Sequence, residues 1–512
     1  MKSKFLFFVL ILFSFKGLAQ DASKVFDGVK NITLRNIGVI TKNNVVKGYF
    51  SFYEFDKVNR KTLLYRLNLV DANLNELGSK DIEGPKDWSL VSSGFDGNNF
   101  CFKFFDEKTR TIELKVYDEQ ANEVTSNSIK VNYKPTGSDY KNYSLMATPE
   151  LDINDNHGFV NYIFNDPNNA FIVSYIDGAT KNSWQKTYEP QGKSKLMVPN
   201  YLNADDEIIL TGVSRVERGM YNTKTDHSIL ANSTKDGSQL FDISTEFGDN
   251  HVVPINAIFE NDKIVIVGLN YKSAKTYTSA PDGLAFIEVD KQGKLLKSNF
   301  KTFEESLGKF LPMEDHKLKD GYYLYIHNIV RSRNNTNVVI AEKFKKATSA
   351  GGIAFAVISQ GGISPIKLQF GNMVAIEYNM DGNAIQAVEI PKAAGSTDFF
   401  PSYAGLMAPY LLAKVAEILG WTDYMYTLKN DDNSEITFSF VDHDRLDPEA
   451  KKTDNFGQIK YKDGKFTVDK IPIKNAKADL SHLFRAQSGY VLQVNYFKKD
   501  KKLTMNMIKL NN

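Results

Sequence analysis

The sequence of 512 residues has little cysteine, no excess of one charge sign and no long apolar run after its first twenty residues. Its single cysteine, Cys101, cannot form an internal disulfide, so the hydrophobic core must hold the fold together. No later segment reaches the eighteen or so apolar residues of a spanning helix, which predicts a soluble mature protein without stable membrane insertion. The net charge is +2 with acids and bases interspersed, so nucleic acid is not an expected partner.

The apolar run at 5–15 follows two lysines and precedes the small residues Gly17 and Ala19. This order is typical of an export signal that is cleaved before Gln20. We therefore predict residues 1–19 as a signal peptide, and a protein exported to the periplasm, the extracellular space or the cell surface. No cysteine directly follows the apolar run, which excludes lipid attachment at a mature N-terminal cysteine.

One pattern occurs about seven times: an apolar strand, a tight turn built around Asp, and a second apolar strand. The turns lie at 70–73, 117–120, 176–178, 235–237, 289–293, 380–382 and 462–464. Asp, Asn and Gly suit the left-handed backbone of hairpin turns. The first four intervals are about 47 to 59 residues long, near the blade period of a β-propeller.

The alternating pattern predicts an all-β protein, with residues 20–512 forming a single β-propeller domain. Seven units are expected to have four strands each, at roughly 36–84, 88–131, 144–190, 195–247, 251–303, 317–393 and 423–474. A last unit has three clear strands, and a strand from the N-terminus near Val25 to Leu34 is expected to complete it. The sum favours eight blades, with seven as the alternative.

One segment has the pattern of a helix. Pro409 suits a first helical position, Gly420 suits the residue after the end, and an apolar stripe lies between them. We predict one helical insertion, within 393–422, that packs on the sheet edges; a helix that binds a partner or lies on a membrane is the alternative, and the short stripe with few basic residues argues against the membrane.

Loop length differs between the two faces of the predicted ring. Antiparallel strands place the connections between second and third strands on the same face as the connections between blades. On this long-loop face, long connections are predicted at 217–226, 271–282, near 345–370, at 442–455 and near 393–422. Long loops on a rigid scaffold often carry binding, although surface loops also tolerate neutral insertion.

Five aromatic residues within the last of these connections are the predicted binding residues: Phe399, Phe400, Tyr403, Tyr410 and Trp421. Exposed aromatic clusters mark recognition of proteins or sugars. The alternative is that these rings attach the insertion to blades six and seven.

No motif for a catalytic nucleophile or a phosphate loop is present, and the seven histidines are scattered. Asp442-His443-Asp444 is the densest group of metal-ligand types, but only two of its side chains share a strand face, so we assign it as an ordinary strand end. No catalytic residue, metal site or cofactor is predicted. A carboxylate pair from two different blades stays open as an alternative.

The segments at 337–346 and 373–383, with the hairpin that closes at Ile390-Pro391-Lys392, resemble uncharacterised exported propeller-like proteins of Gram-negative bacteria of the Bacteroidota type. That resemblance implies compartment and fold only. The predicted function is a non-enzymatic binding or scaffold protein of the cell envelope, recognising a protein or glycan on the long-loop face. The alternative is a secreted carbohydrate-active hydrolase or lyase on the same scaffold.

Overall fold

The chain folds as an all-β propeller of eight blades, each an antiparallel sheet, as the hairpin repeat predicts. The computed structural model describes residues 22–33, 36–42, 45–106, 108–131, 152–154, 158–165, 170–194, 196–218, 223–272, 280–348, 366–393, 395–397, 409–418, 420–442, 453–474, 477–487 and 489–510. The predicted signal peptide lies outside the described residues. Eight blades are confirmed over the alternative of seven.

The four main strands of each blade follow one another from the inner to the outer edge, except that the outer strand of the last blade is β1. Blade eight includes β1 (Ser23–Asp27). Blade one contains β2 (Ile37–Lys42), β3 (Val45–Lys57), β4 (Thr62–Asp71) and β5 (Glu76–Pro85). Blade two contains β6 (Trp88–Phe95), β7 (Phe100–Asp106), β8 (Thr111–Tyr117) and β9 (Glu123–Lys130). Blade three contains β10 (Asp152–Asn154), β11 (Gly158–Asn165), β12 (Ala170–Ile176) and β13 (Ser183–Tyr188), and blade four contains β14 (Leu196–Ala204), β15 (Ile208–Arg218), β16 (Thr223–Ser233) and β17 (Gln239–Ser244).

Blades five and six each have a fifth short strand. Blade five contains β18 (Glu246–Phe247), β19 (Asn250–Glu260), β20 (Lys263–Tyr271), β21 (Gly283–Asp290) and β22 (Leu295–Thr302), and a small hairpin of β23 (Met313–Glu314) and β24 (Lys317–Leu318) follows it. Blade six contains β25 (Tyr323–Arg331), β26 (Asn337–Thr348), β27 (Ile366–Tyr378), β28 (Ala384–Ile390) and β29 (Gly395–Thr397). Blade seven contains β30 (Tyr424–Lys429), β31 (Glu435–Asp442), β32 (Thr453–Lys462) and β33 (Lys465–Lys474), and blade eight contains β34 (Leu480–Arg485), β35 (Tyr490–Phe497) and β36 (Lys502–Lys509).

The ring closes through strands from both ends of the chain. β1 runs antiparallel to β36, with Phe26 opposite Leu503, so the N-terminus supplies the outermost strand of blade eight. This confirms the predicted source of the missing strand. Pairing of this kind removes two open sheet edges.

The core lies between blades. The middle strands are covered on both sides, and every residue of β12 is buried, whereas the outer strand β5 is largely exposed. Aromatic rings fill much of the space between blades one and two, where Phe50 meets Phe102 edge-to-face at 5.5 Å. Each such fully buried ring contributes about 2–3 kcal/mol relative to exposure.

Two neighbouring inner strands, β14 and β19, each have a β-bulge that is followed by a polar link to the next blade. In β14 and β19 the residue after the bulge is Asn203 or Asn256. Asn203 Nδ2 donates to the carbonyl oxygen of Ala257 at 2.8 Å, and Asn256 Nδ2 donates to that of Ile329 at 2.9 Å. These bonds join blade four to five and five to six along the inner wall.

The described part of the chain contains two short helices, α1 (Phe303–Leu307) and α2 (Pro409–Ile418), of which only the second is predicted from the sequence. Thr302 and Glu305 cap α1 reciprocally, and this Thr-x-x-Glu pattern is visible in the sequence. A helix of five residues leaves too short an apolar stripe to be seen. No helix in the described part of the chain is long and apolar enough to cross a bilayer.

The prediction of a long loop at 217–226 is wrong. β15 and β16 pair out to Arg218 and Thr223, because the charged residues of this segment alternate across a regular two-stranded ladder instead of leaving it. In blade six, β26 continues to Thr348 and β27 begins at Ile366, so both ends of the 345–370 insertion are strand.

Candidate functional site

The outstanding feature of the long-loop face is an extension of blade six, which we call the blade-six platform. It consists of the distal parts of β26 (344–348) and β27 (366–370), together with β29 and α2. β29 pairs with β27 and so widens the hairpin. The buried side chains that join α2 to the hairpin and to the inner strand are Tyr325, Phe344, Leu368, Phe370, Leu412, Ala413 and Ala416.

The ends of α2 are set by local chemistry. Pro409 is the first residue, where its missing N–H costs nothing. Gly420 takes the left-handed φ of 69°, and the N–H of Trp421 donates to the carbonyl oxygen of Ala416 at 2.8 Å. This is a glycine-dependent helix C-cap, as the sequence predicts.

A buried cluster of charges lies beneath α2. The fully buried side chain of His327 on β25 places Nε2 3.0 Å from Glu342 Oε2 and Nδ1 3.1 Å from Glu417 Oε1. Glu342 is on β26 and is also fully buried, whereas Glu417 is on α2 and keeps 23% exposure. Tyr325 OH donates to the second oxygen of Glu417 at 2.7 Å. One imidazole therefore joins the blade to the helix.

The cluster continues through Lys392 to Asp423. Lys392 Nζ lies 2.9 Å from Glu342 Oε1 and 2.5 Å from Asp423 Oδ2, and its side chain is fully buried. On the helix, Lys414 Nζ donates to Glu417 at 2.8 Å. The three cationic and three anionic positions balance, which is what burial of charge requires.

These contacts set the protonation of the cluster. Burial disfavours a charged His327, but hydrogen bonds to Glu342 and Glu417 outweigh it and raise the pKa of His327 above 6.5. Burial would raise the pKa of Glu417, but the bond from His327 and the charge of Lys414 lower it to about 2. The pKa of Glu342 is likewise lowered by Lys392 and His327 against the effect of burial. The imidazolium and both carboxylates are therefore the forms that fit.

Blade six alone has this chemistry among the bulged inner strands. His327 is the bulged residue of β25, and the bulged residues of β6, β14, β19 and β30 are Val91, Leu202, Ile255 and Met425. At the position of Glu342, those four blades have Phe105, Gly212, Leu269 and Val441. The cluster is thus an addition to an otherwise apolar repeat position. Comparing blades in register would be the signal that finds it.

Of the predicted binding residues, two lie within the described structure. Tyr410 is half-buried, with its ring 4.9 Å from that of Tyr325, and Trp421 is half-buried against the core of the platform. Phe399, Phe400 and Tyr403 lie outside the described residues. Tyr410 and Trp421 lie at opposite ends of α2 and both pack against the core of the platform, and the binding role of all five stays a prediction.

A second histidine on the long-loop face lies between two carboxylates. His316 occupies the two-residue turn of the β23–β24 hairpin with φ of 62°. Its Nε2 is 3.1 Å from Asp282 and its Nδ1 is 3.3 Å from Glu304 of α1. This group ties α1 and the small hairpin to blade five.

Asp442, the first residue of the Asp442-His443-Asp444 group at the end of β31, binds neighbouring segments of blades six and seven. Asp442 accepts hydrogen bonds from the N–H of Ala393 and from Lys470 Nζ, both at 2.7 Å. His443 and Asp444 lie outside the described residues. Within the described ranges, no three His, Cys, Asp or Glu side chains converge as a metal site requires.

A polar cavity of about 240 Å³ opens on the opposite face, between the turns of blades six and seven. It is lined by Ser332, Arg333, Asn334, Asn433, Ser434, Tyr461 and Asp463. Beneath it the buried carboxylate of Glu377 accepts from Tyr461 OH at 2.5 Å and from Thr336 at 2.8 Å. These bonds hold the interface between the two blades.

The role of the cluster is to hold other elements in position. His327, Glu342 and Lys392 have fully buried side chains whose polar atoms face one another. What the cluster does is fix α2 and the start of blade seven against blade six.

The chain matches a family model and is similar to several solved structures. A family model described as a family of unknown function (DUF6770) matches residues 1–511. No curated protein matches.

Prolyl oligopeptidase B from Galerina marginata is similar at 8% identity and a TM-score of 0.40, with 93% of this chain and 56% of that chain covered. The chain thus spans just over half the length of that enzyme.

Two further solved structures show comparable similarity. The β-propeller domain of the Trilobed protease from Pyrococcus furiosus is 12% identical with a TM-score of 0.31, over 70% of this chain and 96% of that one. The α-L-arabinofuranosidase Arb93A from Fusarium graminearum is 10% identical with a TM-score of 0.30, over 71% and 91%.

Proposed function

The chain belongs to that family of unknown function, and we propose that it is an exported, non-enzymatic binding or scaffold protein that recognises a protein or glycan on the long-loop face. The blade-six platform is the recognition element. The aromatic residues Phe399, Phe400, Tyr403, Tyr410 and Trp421 contribute its contact surface.

The buried charge cluster under α2 is the observation that carries the proposal. Burying an ion network costs desolvation energy that apolar residues of similar volume avoid, so such a network is weak evidence for stability. It does restrict geometry, because only one arrangement satisfies all of its partners. The four blades compared in register have no such network, and in blade six it lies under an added helix, which supports a role in which that helix must be held at a defined place.

The predicted alternative, a carbohydrate-active hydrolase or lyase, needs carboxylates that a substrate can reach. Glu342 and Asp423 are the carboxylates that share Lys392 in the buried cluster, and both side chains are at most 3% exposed. They do not serve that purpose, and the binding role is favoured.

Capture of a ligand tests the proposal. The protein without residues 1–19 is immobilised and exposed to envelope fractions and to a glycan array. The test variant replaces Phe399, Phe400 and Tyr403 with Ser, and the matched control replaces the exposed Leu295 and Leu296 of outer strand β22 with Ser. We expect the test variant to lose capture at an unchanged melting temperature and the control to retain it.

Two results would overturn the proposal. One is capture that survives the triple substitution. The other is capture that disappears only together with the fold, seen as a large fall in melting temperature, since these rings would then belong to the core. Export is tested separately, by fractionating cells that make the full chain and asking whether the shorter, processed form leaves the cytoplasm.

A further inference from the structure

We propose that α2 is a pH-dependent latch, docked on blade six while His327 is an imidazolium and released when that ring loses a proton. The latch is a property of the chain's own contacts. Only its consequence, that release would reshape the recognition surface, rests on the proposed function.

The geometry of His327 requires two N–H donors. Its two ring nitrogens lie 3.0 and 3.1 Å from carboxylate oxygens of Glu342 and Glu417. A neutral imidazole has one N–H, so it would point a lone pair at one of these carboxylates. Deprotonation therefore breaks one of the two bonds and replaces it with repulsion.

The groups around His327 come from four elements. They are Tyr325 on its own strand, Glu342 on β26, Glu417 with Lys414 on α2, and Tyr424 on β30. The ring of Tyr424 stacks on the imidazole at a centroid distance of 4.8 Å. Lys392 and Asp423 lie behind Glu342. With His327 protonated, the three cations balance the three carboxylates. With His327 neutral, the cluster has one uncompensated negative charge in a buried place.

The helix side of the cluster is where that imbalance is relieved. Glu342 has no exposure and keeps Lys392 as a partner, so it stays inside. Glu417 has 23% exposure, and its remaining partners are Tyr325 and Lys414, of which Lys414 is on the same helix. Moving α2 outward hydrates Glu417, whereas no comparable movement of β26 hydrates Glu342.

The direction of the effect follows from the partners. Carboxylates on both sides favour the charged ring and raise its pKa above 6.5, so the latch is closed below the pKa of His327 in the folded protein and opens as the pH rises through that pKa. Opening uncovers Phe344, Leu368 and Phe370, which α2 buries.

Thiol labelling of a cysteine under α2 tests the latch. Ala416 is fully buried between helix and hairpin, and Ala413→Cys serves as a second probe where Ala416→Cys does not fold. The native Cys101 is fully buried in blade two and reports global opening. Labelling rates are measured from pH 6 to pH 10 and divided by the rate of a free thiol, which removes the ionisation of the probe itself.

We expect the corrected rate at Ala416→Cys to rise at least tenfold across this interval while Cys101 stays protected. In a His327→Gln background the rate should be raised already at pH 6 and independent of pH. A flat profile, an identical profile in the Gln background, or labelling of Cys101 in parallel would each overturn the latch. None of these readouts involves a ligand, so failure of the latch and failure of the proposed recognition are separate results.

Discussion

Lys392 Nζ lies 2.5 Å from Asp423 Oδ2, and these two residues bracket the connection between blades six and seven. Lys392 follows the outer strand β28, and Asp423 directly precedes the inner strand β30. The connection that contains α2 therefore starts and ends at one buried ion pair. A loop closed in this way has its ends fixed independently of what lies between them.

Replacing Lys392 with Met should destabilise the protein strongly. The change leaves Glu342 and Asp423 buried without their shared cation, which costs about 3–5 kcal/mol when one member of a buried pair is removed. Thermal unfolding should show a clearly lower midpoint. Lys297→Met is the matched control, because Lys297 pairs with Asp381 at 2.8 Å on the exposed outer surface and its loss should change the midpoint little. Equal midpoints for the two variants would mean that the cluster is solvated.

Replacing Glu417 with Gln should remove a contribution to stability that is complete near neutral pH and is lost in acid. The pKa of Glu417 is lowered from 4.5 to about 2 by His327 and Lys414, so its contribution is complete above pH 4.5 and is lost as the pH falls towards 2. A shift of that size corresponds to about 3 kcal/mol. The difference in unfolding free energy between wild type and variant should be constant from pH 5 to 7 and shrink below pH 4.5. A difference that does not vary with pH would contradict this assignment.

Much of the fold could be predicted because its signals are local. The turn at Met380-Asp381-Gly382 lies between two alternating strands, so a short window of sequence contains everything that the hairpin needs. The charge cluster has no such window. His327 and Asp423 are 96 positions apart, and each looks like an ordinary polar residue in its own segment. The register of β25 with β26, which places Tyr325 opposite Glu342, and the packing of α2 on blade six bring the members together.

The ends of α2 could be predicted from its own sequence, whereas the strands against which it packs could not. Pro409 and Gly420 mark its ends in the sequence, and the structure places both ends there. Its apolar side meets β26 and β27, which are far away in sequence, and nothing in the helix itself specifies them. The small α1 shows the opposite case, since its capping pair Thr302 and Glu305 is a clear signal in a segment too short to show a period.

Asn256→Leu should weaken the link between blades five and six. The side chain of Asn256 donates to the carbonyl oxygen of Ile329 at 2.9 Å, and its removal leaves that oxygen without this donor on the inner wall. A lost hydrogen bond of this kind costs about 1–2 kcal/mol. The midpoint of urea unfolding should fall accordingly. Asn299→Leu is the control: its bond to the carbonyl oxygen of Met380 is longer, 3.4 Å, and lies on an outer strand, so the expected change is smaller.

Closure of the ring should depend on one face of β1. Phe26 is 8% exposed and packs into the core of blades eight and one, whereas its neighbour Val25 points outward at 47% exposure. Phe26→Ala removes a buried ring and leaves a cavity, at a cost of about 3–5 kcal/mol, while Val25→Ala should stay within about 0.5 kcal/mol.

Both variants keep the backbone pairing of β1 with β36, so their difference isolates side-chain packing from strand addition. Hydrogen exchange at 502–509 provides the second measurement. If packing of Phe26 holds β1 in place, exchange in β36 should accelerate in Phe26→Ala and remain slow in Val25→Ala. Unchanged protection of β36 in Phe26→Ala would show that the backbone ladder alone closes the propeller, because the strand would then stay paired without its anchoring ring.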